Sequence, residues 1–98
     1  MPGGDDDEAT VEVVRDYRRE DESGRIERVR VLRVPESEAY PDGIKYALHY
    51  GTVDGNTLLR YDNAHGVHER HTPNGTTQIE YPGIAALYRR FREEISDL

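Results

Sequence analysis

Ninety-eight residues suffice for one small domain, and with 35% hydrophobic against 34% charged residues the core is modest, so a large buried active-site cavity is not expected. The absence of cysteine excludes disulfides, thiolate catalysis, iron–sulfur clusters and cysteine zinc sites, and the lack of any apolar run of about 18 residues excludes a membrane-spanning helix and a secretory leader, so a soluble cytoplasmic protein is expected. Net charge is −7, four of it supplied by Asp5, Asp6, Asp7 and Glu8, and the cations are twelve arginines and the single Lys45. Arginine in place of lysine beside so many carboxylates suggests a high-salt cytoplasm, where repulsion between like charges is screened to within roughly 3 Å at 1 M salt. The acidic balance therefore does not argue against a nucleic-acid partner.

Residues 1–9 are acidic, with no bulky apolar residue after Met1, and read as a disordered tail; residues 10–98 form a single domain. Thr10 to Tyr17, with Val11, Val13 and Val14, predicts a first strand, although Arg15 to Glu22 is also compatible with a charged helix. After Ser23-Gly24, Arg25 to Val34 alternates so that Val29 and Val31 lie on one face and Arg28 and Arg30 on the other. Pro41-Asp42-Gly43 is a reversing turn. Ile44, Tyr46, Leu48 and Tyr50 then follow at period two, with Lys45, Ala47 and His49 opposite. The short Asp54-Gly55-Asn56 connection joins this third strand to a fourth, Thr57 to Asn63, as an antiparallel hairpin. Asn74-Gly75 marks a second tight turn, with Thr76 to Tyr81 as a fifth strand. Beyond Pro82-Gly83, Ile84, Leu87, Tyr88, Phe91 and Ile95 share one helical face. Strands first and a helix last predict an α+β fold: an antiparallel sheet of about five strands with a carboxy-terminal amphipathic helix on one face.

The densest run of chemistry extends from Arg60 to His71 and holds three of the four histidines. A histidine near neutral pKa can take or give a proton, and an adjacent carboxylate such as Asp62 can orient it. Arg60 or Arg70 can brace a phosphate through two parallel hydrogen bonds. Such a set can cleave RNA without metal, one imidazole deprotonating the 2′-hydroxyl and another protonating the leaving oxygen. Solvated loop histidines are the bland alternative. A metal shell of Asp62, His65, His68 and His71 is conceivable, but the H-x-x-H spacing fits no closed zinc motif, so no metal and no cofactor is assigned. One geometric difficulty stands: in a regular strand His68 and His71 point to opposite faces, so a shared site requires a loop or bulge between them. Arg28 and Arg30 lie in a local cationic stretch that can follow an RNA backbone, although such arginines more often form a salt-bridged solvent face.

The run Leu59-Arg60-Tyr61-Asp62-Asn63-Ala64-His65-Gly66, followed by His68-Glu69-Arg70-His71, resembles the signature of the TumE family of small toxin–antitoxin proteins. The Val34-Pro35 exit, the Lys45-Tyr46 strand, the Glu80-Tyr81 strand and the final helix with Phe91 resemble family features too. Many members space the second histidine pair as H-x-H, where this chain has H-x-x-H. The resemblance implies a toxin neutralised by a helix-turn-helix antitoxin encoded beside it, with an activity directed at RNA. On this reading Asp62, His68, His71 and Arg60 are the catalytic residues, with Asp62 orienting a histidine and His68 and His71 as the proton-transfer pair; Tyr61, Asn63, His65, Arg70, Arg28 and Arg30 contact substrate. The alternative is a non-catalytic module that binds nucleic acid or protein, and so small a core also suits a homodimer.

Overall fold

A computed structural model describes residues 11–98, so the acidic tail expected over 1–9 and the Thr10 start of the first strand lie outside the described residues. The expected α+β architecture is present. Six strands, β1 (Glu12–Glu20), β2 (Ile26–Arg33), β3 (Ile44–Gly51), β4 (Thr57–Asp62), β5 (Glu69–Thr72) and β6 (Gly75–Gln78), form one antiparallel sheet in sequential order, and the helix α1 (Ile84–Ser96) packs on one face. Two differences from the sequence expectation have physical causes. Arg15 to Glu20 is strand rather than helix, because it pairs along its length with β2 and the Tyr17 and Arg19 side chains both reach Glu27. Glu69–Thr72 is an additional strand. Its four residues include no large apolar side chain, and pairing with β4 and β6 rather than intrinsic propensity makes it extended. β6 correspondingly stops at Gln78, and the Ile79 N–H donates to the His68 carbonyl at 2.9 Å as the chain leaves the sheet for α1.

Period-two alternation divides the sheet into a helix face and an open face. Val29, Val31, Tyr46, Leu48, Leu59 and Tyr61 point to the helix face and are closed over by Leu87, Phe91 and Ile95, which recur at i, i+4 and i+8 on α1. All nine are buried, and Tyr61, Leu48, Leu87 and Phe91 are completely so. Glu27 also lies on this side, buried beneath Arg19 and Arg92, with Tyr17 donating to it and Tyr88 hydrogen-bonded to Tyr17 at 2.8 Å. A carboxylate this deep is tolerable only because cations and a hydroxyl satisfy it.

Asn63 fixes the end of β4. Its Oδ1 accepts the Tyr46 N–H at 2.9 Å and its Nδ2 donates to the Ile44 carbonyl at 2.7 Å, so a buried side-chain amide replaces the next rung of the ladder with β3. The chain then turns through Gly66, whose φ of 77° and close approach to Ala39 leave no room for a side chain: a Cβ there would lie 2.6 Å from the Ala39 carbonyl oxygen.

Phe91→Ala, which empties the centre of the only helix–sheet contact among the described residues, is expected to cost about 3–5 kcal/mol in urea unfolding. Acid should act through Asp21, Glu27 and Glu94. Hydrogen bonds from Ser23 and then Tyr50 hold Asp21 down to about 2. Burial pushes Glu27 up, but donation from Tyr17, Arg19 and Arg92 outweighs it and leaves Glu27 below the ordinary carboxylate range. At Glu94 burial pushes the carboxyl up, but donation from Arg70 and Tyr61 outweighs it. All three are depressed in the folded state, so their stabilisation is complete above the ordinary carboxyl pKa of about 4 and disappears as pH falls below it. The thermal midpoint should hold between about pH 7 and 5 and then drop. Asp21→Asn should have a lower midpoint at neutral pH and a shallower acid limb, and an acid limb identical to that of the unsubstituted protein would refute this assignment.

Candidate functional site on the open face of the sheet

Three cross-strand rows organise the open face. Strand register aligns Arg18, Arg28, His49, Arg60, His71 and Thr76 in one row, and Asp16, Arg30, Ala47, Asp62, Glu69 and Gln78 in the next. Leu32 and Lys45 begin a third row. Directly opposed residues in neighbouring strands bring their Cβ atoms to about 5 Å, so residues far apart in sequence become side-chain neighbours. Nothing among the described residues covers this face, and its partly exposed polar groups are open to a ligand.

At the junction of β4 and β5 the rows converge on Arg60, Asp62 and His71. Arg60 Nε donates to Asp62 Oδ2 at 2.8 Å, and His71 Nε2 lies 3.2 Å from the same oxygen and 3.6 Å from Glu69 Oε1. His71 Nδ1 meets the Thr76 hydroxyl at 2.9 Å, which fixes the ring from behind. Nε2 is buried and has no in-line hydrogen-bond partner among the described residues, despite the nearby carboxylate oxygens. The Asp62 carboxylate is 11% exposed and is therefore held by these neighbours rather than by bulk water. The Arg60 side chain remains 37% exposed, and only its Nε is hydrogen-bonded among the described residues. An oriented imidazole, an orienting carboxylate and a guanidinium with unused donors thus share a few ångströms of open surface.

The remaining sequence-selected residues divide between the faces. Arg28 is on the open face but donates to the Tyr17 and Val29 carbonyls at 3.0 and 2.9 Å, clasping β1; Arg30 is freer, with Asp16 at 3.8 Å. His65 is exposed in the loop after β4 with φ 75°. Tyr61 and Arg70 are on the helix face. Tyr61 donates to Glu94, Arg70 Nε donates to the Tyr61 hydroxyl at 3.2 Å, and Arg70 pairs with Glu94 at 2.6 Å. The Asn63 amide is occupied by the β3 backbone. His68 stacks on Tyr81 with ring centroids 4.3 Å apart and meets the Tyr46 hydroxyl through Nδ1 at 2.9 Å, again on the helix side. His68 precedes β5 and lies with Tyr46 and Tyr81 on the helix side, whereas His71 is on the open face, so the two do not form one site.

The open face instead supplies a histidine outside the 60–71 run. His49 stands opposite Arg60, which separates it from His71. Burial first, and then the Arg60 charge, lower its pKa and favour the neutral imidazole; its Nδ1 has no partner among the described residues. Gly51 leaves the ring its space, since a Cβ at that position would lie 2.9 Å from His49 Nε2. The period-two pattern of β3 already placed His49 beside Lys45 and Ala47, which was the signal available in sequence. Glu69 is likewise a member of the site through register alone.

Asp62, Glu69 and His71 each offer a ligand atom, all within 4.8 Å of one another. Imidazole with two carboxylates suits zinc or manganese, and Thr76 on the second ring nitrogen is the kind of support metal-bound histidines have. Against this, Arg60 already donates to Asp62 Oδ2, the oxygen that lies 3.2 Å from His71 Nε2. Among the described residues, no helix is long and apolar enough to cross a membrane.

Comparison with known proteins places these residues in a family. No curated protein and no solved structure matches the chain. The family described as toxin TumE matches residues 5–98, spanning every strand, the helix and the whole Arg60–His71 run. The chain belongs to the toxin TumE family and is the toxin component of a toxin–antitoxin system, with a cognate antitoxin as its partner.

Proposed function

We propose that this toxin acts on RNA as a small metal-independent ribonuclease whose active surface is the open face of the sheet, and that its antitoxin is of the helix-turn-helix type. The observation that carries the reading is the row His49–Arg60–His71, in which two histidines flank a guanidinium and Asp62 stands beside the second. Neutral His49 takes the proton of an RNA 2′-hydroxyl, and the freed oxygen attacks the adjacent phosphorus. The unused Arg60 donors stabilise the charge that develops on the phosphoryl oxygens. His71, oriented by Asp62 and Thr76, delivers a proton to the departing 5′-oxygen as its bond to phosphorus breaks, leaving a 2′,3′-cyclic phosphate and a 5′-hydroxyl. His49 replaces His68 in this scheme because His68 is engaged with Tyr46 and Tyr81 beyond the sheet.

The test is cleavage of a labelled structured RNA pool in near-molar potassium chloride, with and without chelator. His71→Asn and His49→Asn should each lower kcat by about 10²- to 10⁴-fold with little change in thermal midpoint, whereas His68→Asn should lower the midpoint more than kcat. Full activity in His71→Asn would overturn the scheme. Loss of activity with chelator alone would convert Asp62, Glu69 and His71 into a metal shell. RNA that is bound but never cut, by folded protein, would instead establish a binding module built on Arg28, Arg30 and Arg60.

A further inference from the structure

A hollow in the open face, next to the Arg60–Asp62 pair, has a shape and charge of its own. Its floor is Ala47, which stands between Arg30 on β2 and Asp62 on β4 in the second cross-strand row. Every other described member of that row from β1 to β6 is larger and polar, so the single methyl group opens a cavity of about 140 Å3. Arg30, Lys45 and Arg60 line it, with Asp62 as its one carboxylate. Three cations face one anion in a chain whose net charge is −7. None of the three is spent on a close partner outside the hollow: Arg30 has only Asp16 at 3.8 Å, Arg60 only its Nε on Asp62, and Lys45 no ion pair among the described residues, with the Tyr40 ring 5.9 Å away.

Self-repulsion between three cations is tolerated where an anion neutralises them, and a phosphate is the anion that a guanidinium fork and an ammonium together recognise. We infer that the Ala47 hollow is a phosphate subsite, filled by the phosphodiester next to the one held by the His49–Arg60–His71 row. Residues two apart on a strand are separated by about 6.7 Å, the scale of one nucleotide step, so neighbouring rows suit successive phosphates of an extended single strand. The assignment to a neighbouring phosphodiester rests on the ribonuclease reading; the anion site itself does not.

Pyrophosphate is the probe, titrated into full-length protein by calorimetry at about 0.1 M salt, where charges still act over about 10 Å. Pyrophosphate should bind one site per chain. Ala47→Leu, which fills the hollow and keeps every charge, should weaken binding at least tenfold; Lys45→Gln, an exposed change that leaves packing alone, should weaken it several-fold. Wild-type binding that Ala47→Leu and Lys45→Gln leave untouched would overturn the subsite, as would no binding by folded wild-type protein. Binding with the expected losses, in a protein that cuts no RNA, would keep the anion site while removing the ribonuclease reading. Cleavage whose KM rises in Lys45→Gln would support both.

Discussion

Among the described residues one thirteen-residue helix has to serve a six-stranded sheet, and this shortage of cover shapes the molecule. At about 1.5 Å per residue α1 is roughly 20 Å long, enough to close the apolar faces of the central strands and nothing more. The other face has no apolar layer, so every outward position on β2 to β5 must tolerate water. Arginine, histidine and carboxylate fill most of these positions, with Leu32, Lys45 and Ala47 among them. A chain with this little apolar material therefore builds its fold on one side and leaves the other available for chemistry.

The same shortage explains why so many polar groups on the helix side are locked together. Glu27, Arg19, Arg92, Tyr17 and Tyr88 form one connected group, and Tyr61, Arg70, Glu94 and Arg90 a second, at the two flanks of α1. Burial and carboxylate hydrogen bonds raise the Tyr17 and Tyr61 pKa values and keep both hydroxyls protonated donors. In the second group Arg70 is committed to Glu94 and Tyr61, which gives a residue inside the chemically dense run a structural task. Part of the density of that run is structural, since Tyr61 and Arg70 tie the sheet to α1 through Glu94.

Much of the architecture was legible because the signals were local. Tyr46, Leu48 and Tyr50 announced β3 by alternation, and Ile84 through Ile95 announced α1 by helical spacing. β5 was not legible: Glu69, Arg70, His71 and Thr72 have no apolar alternation, and they become a strand because β4 and β6 offer backbone partners. The site shows the same division. Arg60, Asp62 and His71 could be named from the dense run, and the parity of His68 and His71 in a regular strand warned that they face apart. His49, eleven residues before Arg60, joins them only through the β3–β4 register.

The sequence by itself therefore determined the class of fold and the helix with its buried face, since composition and short-range periodicity carry these, while the Arg60–His71 run carried the family resemblance and offered Arg60, Asp62 and His71 as candidates. Which groups meet was decided only in the folded chain. Cross-strand register is a property of paired backbones, and it brings His49, Arg60 and His71 into one row, makes Ala47 the floor of a cationic hollow, and sends Tyr61, Asn63, His68 and Arg70 to the side that holds the molecule together.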